Sequence, residues 1–573
     1  MAGLCDLVLG HDERGEIKIR GDQRYLGTLI HGRSDSGKST LMKACGRQDA
    51  ESHAAMVWID PHTGIDKFMG WVPKSRRDDV VLLSLVPDEV PMWPVFDTIE
   101  NRDEVLLLAS QLVDTWRGQH GQQSIGVRAS DLLSHALRIV DPECLSPLEL
   151  LSALTDAEFR HESLLGPHVD RMGLDFGVRS FFDGIFDRLN ASTRAEWSSV
   201  LENKLSIFLK NDWLQRATSG TPLAMVDEGR KLVGLGGFAS LGWVEEAVIV
   251  GRGRLVLRDS SGHHRAVMQA SGRLDEYLVS YRSGRKVRTV GGHEYAVPGE
   301  SRIDEDEADP RLCPPSLEEL ATGGRALTRH VDRLRLRRSV QRFAGLELVQ
   351  RGIRVKEAMH LADLMDDGKI VLVEIPSHYG PDLVASVASV VLTVATMRGY
   401  RQLRLPPERQ VPVSVYVDEA DNFMSPAFPE TLEELRKAKV GLTLGLQRLG
   451  QMGGKYDAVR RSIIDSVGTQ VCLTPGRQEA SEIAEILRVP EEQVMGLEQG
   501  HMIVAGMSER SGHAAPRAGT FEGMPDGDRD AAMEVREASV RRYYQSPELA
   551  DLTIRERIRG IMATAGGAQR RSA

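Results

Sequence analysis

The stretch "LIHGRSDSGKSTLM", Leu29–Met42, decides the fold of this chain. It contains a glycine, four residues and then Gly-Lys-Ser, which is the pattern of a loop whose backbone amides surround a phosphate. An apolar strand precedes the loop and a helix follows it, so the pattern lies in the structural context that it requires. We therefore predict a phosphate-binding loop, or P-loop, with a turn that binds nothing as the alternative.

The residues of this loop have distinct predicted contacts. Lys38 would reach the β- and γ-phosphate oxygens of a nucleotide, and Ser39 would bind Mg²⁺. The glycines let the backbone curve so that its amide groups face the phosphate. The predicted nucleotide-binding residues of the loop are Gly32, Arg33, Ser34, Asp35, Ser36, Gly37, Lys38, Ser39 and Thr40.

The stretch "VPVSVYVDEADNF" supplies a second motif. Alternating valines from Val411 to Val417 predict a strand that delivers Asp418 and Glu419 beside the loop. In such a Walker B motif, Asp418 would hold Mg²⁺ and Glu419 would polarise the attacking water. Taken alone, this pair could merely cap a helix. Both motifs in this order favour ATP hydrolysis over simple binding, and the lack of a downstream "NKxD" disfavours a switch GTPase.

The third motif is "LTLGLQRLGQM", which predicts a strand that ends at Gln447. An amide at the tip of a sheet, next to a P-loop, is placed to sense the γ-phosphate. The alternative is a glutamine that simply ends a strand.

Length and composition limit the class of protein. The chain has 573 residues, several times a domain of roughly 100 to 150 residues, so we expect several cores. A net charge of -10 argues against nucleic acid covering the whole surface, but it allows a local basic channel. The five cysteines show no CxxC spacing, which indicates a reducing compartment and no zinc site. No run of 18 apolar residues and no signal peptide is visible, so we expect no direct membrane span.

The pattern of strands and helices predicts an α/β core that is split by insertions. Short apolar runs alternate with glycines in one insertion, and helical periodicity dominates the other. The predicted units are 1–97, the first half of the core; 98–217, an all-helical insertion; 218–300, a small β-rich insertion; 301–354, an acidic linker and arginine-rich helix; 355–525, the second half of the core; and 526–573, C-terminal helices and a tail.

One part of the linker is strongly basic. Between Arg325 and Lys356 there are ten basic residues and two acidic ones. Two interpretations stay open, a solvated arginine-rich helix and a surface that faces nucleic acid.

Taken together, these segments resemble the HerA and FtsK branch of P-loop motor ATPases. Within it they are most similar to the soluble part of the conjugative coupling proteins of type IV secretion and to HerA-like relatives. The segments that carry the resemblance are "RYLGTLIHGRSDSGKSTLM", "MVWIDPHTG", "VPKSRRDDVVLLSL", "PMWPVFD", "GVRASDLLSHALRIV", "LENKLSIFLKNDWLQRA", "DGKIVLVEIP" and "VYVDEADNFMSPAFPETLEELRKAKVGLTLGLQRLGQM".

The resemblance implies a RecA-like P-loop ATPase core with an all-helical insertion. Such proteins assemble as rings, commonly hexamers, with ATP between subunits and DNA through the central pore. Carried over to this sequence, Lys38 and Ser39 would act on the phosphates and the metal. Asp418 and Glu419 would form Walker B, and Gln447 would be the sensor.

The resemblance also implies residues at the edge of the site. Asp60 and His62 of "IDPH" would line it from a neighbouring strand. A ring motor needs an arginine from the adjacent subunit to neutralise charge that develops on the γ-phosphate. Arg436 is the first candidate, with Arg448 and Arg477 as alternatives, and each of the three could be an ordinary surface arginine.

The sequence departs from the family in two respects. Coupling proteins usually begin with transmembrane helices, and HerA proteins with a β-barrel, but only 31 residues precede Gly32. The β-rich insertion has no counterpart that the resemblance supplies. We therefore expect a cytoplasmic protein, or one peripheral to the inner membrane through a partner.

These observations lead to three functional hypotheses. The first is an ATP- and Mg²⁺-dependent DNA translocase, a helicase-like ring motor that could act in conjugative transfer. The second is a nucleotide-gated HerA-like scaffold that assembles with a nuclease or another effector, for instance in anti-phage defence. The third is an ATPase that moves protein through a secretion channel.

Overall fold

The computed structural model describes most of the chain. The arginine-rich segment at 325–353, His62, Arg448 and Arg477 lie outside the described residues, and the predicted unit boundaries stay predictions. The described ranges are 3–52, 54–61, 64–84, 88–96, 102–120, 125–139, 146–161, 176–222, 244–250, 254–270, 276–281, 286–290, 293–295, 354–375, 380–407, 410–420, 428–447, 457–476, 478–506, 515–524 and 527–567.

Twenty strands are present within these ranges. In chain order they are β1 (Leu7–Asp12), β2 (Gly15–Ile19), β3 (Thr28–His31), β4 (Ala55–Asp60), β5 (Val80–Leu83), β6 (Val90–Pro91), β7 (Glu246–Val250), β8 (Arg254–Arg258), β9 (His264–Ala270), β10 (Glu276–Tyr281), β11 (Lys286–Val290), β12 (His293–Tyr295), β13 (Arg354–Glu357), β14 (Ile370–Glu374), β15 (Val413–Val417), β16 (Val440–Leu446), β17 (Thr469–Cys472), β18 (His501–Gly506), β19 (Arg517–Thr520) and β20 (Tyr544–Gln545).

Seventeen α-helices accompany these strands in the described part of the chain. They are α1 (Lys38–Glu51), α2 (Ile65–Met69), α3 (Arg102–His120), α4 (Val127–Ile139), α5 (Pro147–Thr155), α6 (Ala157–Phe159), α7 (Phe176–Phe181), α8 (Ala191–Lys210), α9 (Asp212–Ser219), α10 (Leu361–Asp366), α11 (Pro381–Leu403), α12 (Phe428–Lys437), α13 (Asp457–Ser466), α14 (Ala480–Leu487), α15 (Glu491–Met495), α16 (Arg529–Tyr543) and α17 (Pro547–Gly567).

An eleven-stranded mixed sheet forms the centre of the molecule, in the order β2-β1-β19-β18-β17-β3-β16-β15-β4-β14-β5. The seven strands from β17 to β5 are parallel, and the other four extend the sheet in antiparallel fashion. The central parallel strands are short apolar runs buried on both faces, as expected when helices cover both sides. The predicted RecA-like α/β class is confirmed.

The order of the parallel strands places the three sequence motifs at one edge. The P-loop strand β3 and the Walker B strand β15 are separated by β16, the strand that precedes Gln447. In the registers, His31 pairs with Leu446 and Val417 pairs with Leu444. Because parallel strands end at the same edge, the loop, Asp418 and Gln447 meet there.

Two hydrophobic clusters lie on opposite faces of this sheet. On one face, α1, α2 and α16 cover an aromatic stack in which the Trp58 ring lies 5.3 Å from Phe68 and 5.0 Å from Tyr416. On the other face, α11 and the helices α3, α4, α5, α8 and α9 pack together into one continuous cluster. The helices that follow β6 therefore share a hydrophobic core with the eleven-stranded sheet.

Helix α11 is long and apolar. By length and composition its part Leu383–Leu403 could cross a membrane, but 89% of that stretch is buried inside the protein. It contacts α3 and α10 and contributes to the larger hydrophobic cluster, so its apolar residues have protein partners.

A second sheet has the order β12-β11-β10-β9-β8-β7-β13. Its strands are antiparallel except for β13, which runs parallel to β7. The sequence assigned 355–525 to the core, whereas its first residues, Val355, Lys356 and Glu357, pair with β7 of this second sheet. Met92, which follows β6, packs into the small core of the second sheet against Val248 and Val256.

The C-terminal helices connect the parts of the molecule. Helix α16 packs on α2 and β5 of the core, β20 pairs with β6, and α17 packs on α9. A buried ion pair of 2.7 Å joins Arg557 of α17 to Glu149 of α5.

Candidate active site

Backbone hydrogen bonds join the base of the P-loop to the ends of both neighbouring strands. The Gly32 amide donates to the Leu446 carbonyl over 3.3 Å, and the Arg33 amide donates to the Thr474 carbonyl over 2.9 Å. The first bond leads to the end of β16 and the second to the residues after β17. The position of the loop is therefore set by the sheet beneath it.

Within the loop the backbone turns twice into the left-handed region, at Asp35 (φ 62°) and at Gly37 (φ 97°). Gly37 caps the N-terminus of α1, and a Cβ atom there would lie 2.8 Å from the Phe521 ring. Successive amides in such a curve form an anion-binding nest, and the helix N-terminus adds its partial positive charge. The local geometry therefore fits a bound phosphate.

Lys38 lies inside this loop. Its side chain is buried, and its ammonium donates to the Gly32 carbonyl over 2.8 Å and to the Arg33 carbonyl over 3.3 Å. These contacts hold the positive charge at the mouth of the nest, where a phosphate oxygen could exchange for a carbonyl.

Ser39 and Asp418 meet although 379 residues separate them in the chain. The Ser39 hydroxyl donates to Asp418 Oδ2 over 2.6 Å, and Asp418 Oδ1 accepts from the Glu419 amide over 3.0 Å. A hydroxyl and a carboxylate are oxygen ligands of the kind that Mg²⁺ prefers. The residues present therefore fit the metal predicted from the sequence.

Glu419 and Gln447 are also brought together. Glu419 has a left-handed backbone (φ 49°), and its carboxylate accepts a hydrogen bond from the Gln447 amide. The Ser34 hydroxyl donates to the Gln447 carbonyl oxygen over 3.1 Å. Ser34 of the loop, Gln447 and Glu419 thus form one chain of hydrogen bonds across three strands.

Asp60 ends β4, next to β15, and is buried. The register pairs Ile59 with Val417, so Asp60 and Asp418 follow at corresponding positions on neighbouring strands. The structure therefore brings Asp60 to the edge that carries Asp418, where the family resemblance implies it.

Other predicted residues are placed as follows. In the loop, Arg33, Ser34 and Asp35 are exposed, Thr40 is half-buried, and Ser36 is buried with no hydrogen-bond partner for its hydroxyl among the described residues. The Ser36 hydroxyl packs closely against Gly32, because a Cβ atom on Gly32 would lie only 2.7 Å from the Ser36 oxygen.

Arg436 does not lie near the P-loop of its own chain. It is exposed at the end of α12, shortly before β16 begins, and borders a surface cavity of about 690 Å³ together with Tyr25 and Val467. β16 begins at the N-terminal ends of the parallel strands, whereas the loop lies at their C-terminal ends. A role for Arg436 in another subunit stays a prediction.

Sequence reasoning missed His31, the last residue of β3. Its ring is buried, and neither ring nitrogen has a hydrogen-bond partner among the described residues. Burial, with a smaller contribution from the Lys38 charge, lowers the pKa of His31 to about 4. The imidazole is therefore neutral at physiological pH and adds no second positive charge beneath the loop.

Gly445 was also missed. A Cβ atom at this position would lie 2.9 Å from Asp418 Oδ1 and 2.7 Å from Met42 Sδ. A glycine inside a strand pattern often marks such a close approach, so "TLGLQ" contained the signal.

Comparison with known proteins gives one family match. Residues 412–487 match the model described as the TraM recognition site of TraD and TraG. This range covers the Walker B strand, Arg436 and Gln447. No curated protein matches the sequence.

Several solved structures match most of the chain at low identity. The bacterial conjugative coupling protein TrwBdeltaN70, in an unbound form, is 12% identical, with 90% of this chain and 89% of that chain covered and a TM-score of 0.46. The plasmid coupling protein TrwB in complex with ADP and Mg²⁺ is 14% identical, with 92% of each chain covered and a TM-score of 0.46. VirB4 of Thermoanaerobacter pseudethanolicus is 11% identical, with coverages of 91% and 97% and a TM-score of 0.40.

The family match extends across the strand and helix that carry Asp418, Glu419 and Arg436. It coincides with a P-loop core in which Lys38, Ser39 and Asp418 converge. Together these findings confirm that the chain is similar to the P-loop ATPases of the conjugative coupling protein type.

Proposed function

We propose that this protein is an ATP- and Mg²⁺-dependent ATPase that moves DNA as a ring. The observation that carries the ATPase part is the 2.6 Å hydrogen bond between Ser39 and Asp418, with Lys38 and Glu419 on either side. This arrangement joins a phosphate-binding loop to a metal-binding carboxylate and a candidate catalytic base.

The residues divide the chemistry among them. Lys38 and the loop amides hold the phosphates, and Ser39 and Asp418 hold Mg²⁺, which neutralises phosphate charge when bound. Glu419 orients and polarises the attacking water, and Gln447 keeps that carboxylate in place until the γ-phosphate competes for its amide. Positioning and charge stabilisation, not covalent catalysis, would supply the rate enhancement.

The DNA part of the proposal comes from the coupling-protein resemblance and is supported by the match over residues 412–487. In a ring, commonly of six subunits, Arg436 would reach the nucleotide of the adjacent subunit. A motor that follows the phosphate backbone needs only a few basic residues per subunit, so a net charge of -10 is compatible with it. We place the protein in the cytoplasm, or at the inner membrane through a secretion-system partner.

Two substitutions separate nucleotide binding from hydrolysis. Lys38→Ala should abolish nucleotide binding or turnover, because the loop loses its phosphate cation. Glu419→Gln should bind ATP with near wild-type affinity but hydrolyse it at least about a hundredfold more slowly, the usual scale of general-base catalysis. Fluorescent-nucleotide titration and steady-state phosphate release measure the two effects. Full turnover by Glu419→Gln would contradict the Walker B assignment.

A roadblock assay then distinguishes a motor from a scaffold. Wild-type protein should displace a bound protein or strand from DNA when ATP is supplied, and Glu419→Gln should not. If ATP drives oligomerisation but nothing is displaced, the chain is a nucleotide-gated scaffold, and the motor proposal fails.

A further inference from the structure

A second lysine of α1 faces the edge of the sheet that carries the active site. Lys43 follows Ser39 by four residues, so the two side chains lie one helical turn apart on the same face of α1. Ser39 contacts Asp418 on that face. Lys43 is only 8% exposed, which is unusual for a lysine.

The Lys43 ammonium lies next to Asp60. A Cβ atom placed on Gly64 would lie 3.1 Å from Lys43 Nζ and 3.1 Å from Asp60 Oδ2, so both groups border the same small space. The Lys43 charge interacts electrostatically with the carboxylates of Asp60 and Asp418. Burial lowers the pKa of Lys43, whereas the charges of Asp60 and Asp418 act to raise it and the exposed Lys67 acts to lower it.

Lys43 can act on Asp60 and Asp418 together. They occupy corresponding positions on neighbouring parallel strands, which lie about 4.8 Å apart, and both are buried. Two adjacent buried carboxylates repel each other unless a cation compensates them. Their summed negative charge also opposes the approach of nucleotide phosphates to the loop.

We propose that Lys43 is a positioning residue that serves as the fixed counter-ion of Asp60 and Asp418. The inference rests on the proposed nucleotide and metal site and deepens it. Lys43 lowers the attraction of the carboxylate pair for free divalent cations and reduces its repulsion of nucleotide phosphates. The empty site therefore takes up nucleotide without first binding a metal ion.

The proposal predicts opposite changes in two affinities when the charge is removed. In the full-length Lys43→Met variant, a fluorescent ADP analogue in EDTA should bind about tenfold more weakly, and Mn²⁺ without nucleotide should bind about tenfold more tightly. A change of about tenfold in affinity is the size expected when one charge is removed that acts over a short distance in a partly screened site. Fluorescence anisotropy measures the first affinity, and electron paramagnetic resonance of free Mn²⁺ measures the second.

Matched variants separate charge from structure. Lys43→Arg keeps the charge and should restore both affinities to within about threefold of wild type, while Lys67→Met removes an exposed lysine nearby and should change neither, since exposed charges are screened by salt. Lys43→Gln is a second neutral variant, to be used if Lys43→Met does not give the wild-type thermal unfolding transition.

Four outcomes decide the matter. Opposite shifts in the neutral variants support the counter-ion role. A parallel loss of both affinities indicates a purely structural lysine and overturns the proposal, as do two unchanged affinities. Wild-type protein that binds neither ADP nor Mn²⁺ would instead refute the proposed function itself, whatever the Lys43 variants do.

Discussion

His31 shows how a single residue can set the electrostatics of the loop. It lies at the end of β3, between Leu446 and Cys472 of the neighbouring strands, in an apolar environment. Protonation there would place an unpaired charge in the core and a second cation close to Lys38. A neutral ring avoids both costs and is compatible with the loop in its observed position.

This environment predicts a pH-dependent stability. The pKa of His31 falls from an unfolded value near 6.5 to about 4, so below pH 6.5 the unfolded chain binds more protons than the folded protein. Stability is therefore lost as pH falls from 6.5 towards 4. Between pH 7 and pH 5 His31 should account for roughly 2 kcal/mol of that loss.

The measurement compares wild-type protein with His31→Leu by urea unfolding at pH 7 and at pH 5. Leucine suits the apolar surroundings and cannot be protonated, so the variant should lose less stability over this interval. Equal losses in the two proteins would show that His31 does not titrate as described.

At this scale the sequence predicted the residues of local motifs and missed those defined by distant contacts. Lys38 and Ser39 lie in a contiguous pattern, and the alternating valines pointed to Asp418. His31 carries no sequence signal, because its burial depends on strands β16 and β17 far along the chain. The hydrogen bond from Gln447 to Glu419 likewise depends on strand order, which sequence spacing does not contain.

Among the elements, the C-terminal segment connects the core to both insertions. Strand β20 contributes Tyr544, which is fully buried against the end of β5. Its hydroxyl accepts from the Ser84 amide over 3.0 Å and lies 2.9 Å from the Leu82 carbonyl and 3.1 Å from the Ser84 carbonyl. One side chain thus satisfies the backbone where β5 ends.

Removing that hydroxyl should loosen the C-terminal elements. Tyr544→Phe leaves the Ser84 amide and two carbonyls without this partner in a buried site. The free energy of unfolding should therefore fall by about 1 to 3 kcal/mol. Hydrogen exchange should speed up in α16, β20 and α17. Tyr25→Phe is the matched control, because the half-buried Tyr25 hydroxyl accepts a bond from Leu4 at the opposite edge of the sheet. If amide hydrogens in α16 and α17 exchange equally fast in Tyr544→Phe and Tyr25→Phe, the connecting role of Tyr544 is contradicted.

Element types were predicted better than their pairing. The β3–α1–β4 unit, β15, α12 and β16 all occur where apolar periodicity placed them. Three of the four residues of β13, Val355, Lys356 and Glu357, were assigned to the core because the α/β pattern resumes just beyond them, yet they pair with β7. A strand this short has too few residues for alternation to show which sheet it joins.

On the scale of the whole molecule, the P-loop and Arg436 lie at opposite ends of the parallel strands of one sheet. The P-loop occupies the edge where the parallel strands end, and Arg436 lies near the start of β16. A single chain cannot bring them together. Successive subunits in a ring could, which is the arrangement that the coupling-protein resemblance implies.

Mixing two inactive variants tests this arrangement. Arg436→Ala should bind ATP normally but hydrolyse it poorly, and Glu419→Gln lacks the base. In mixed rings some sites combine an intact Glu419 with an intact Arg436 from the next subunit, so activity should exceed the sum of the two variants. Purely additive rates, or a monomeric mass with ATP and DNA present, would contradict the interfacial role of Arg436.

The central claim is that ATP hydrolysis at Lys38 and Glu419 is coupled to DNA. The most direct test measures ATP turnover by wild-type protein with single- and double-stranded DNA over a series of salt concentrations. We predict stimulation by at least one form of DNA at low salt that declines as salt rises, because phosphate contacts release counter-ions, and no stimulation in Glu419→Gln. ATP turnover by the wild-type protein that neither DNA form changes at any salt concentration would contradict the account.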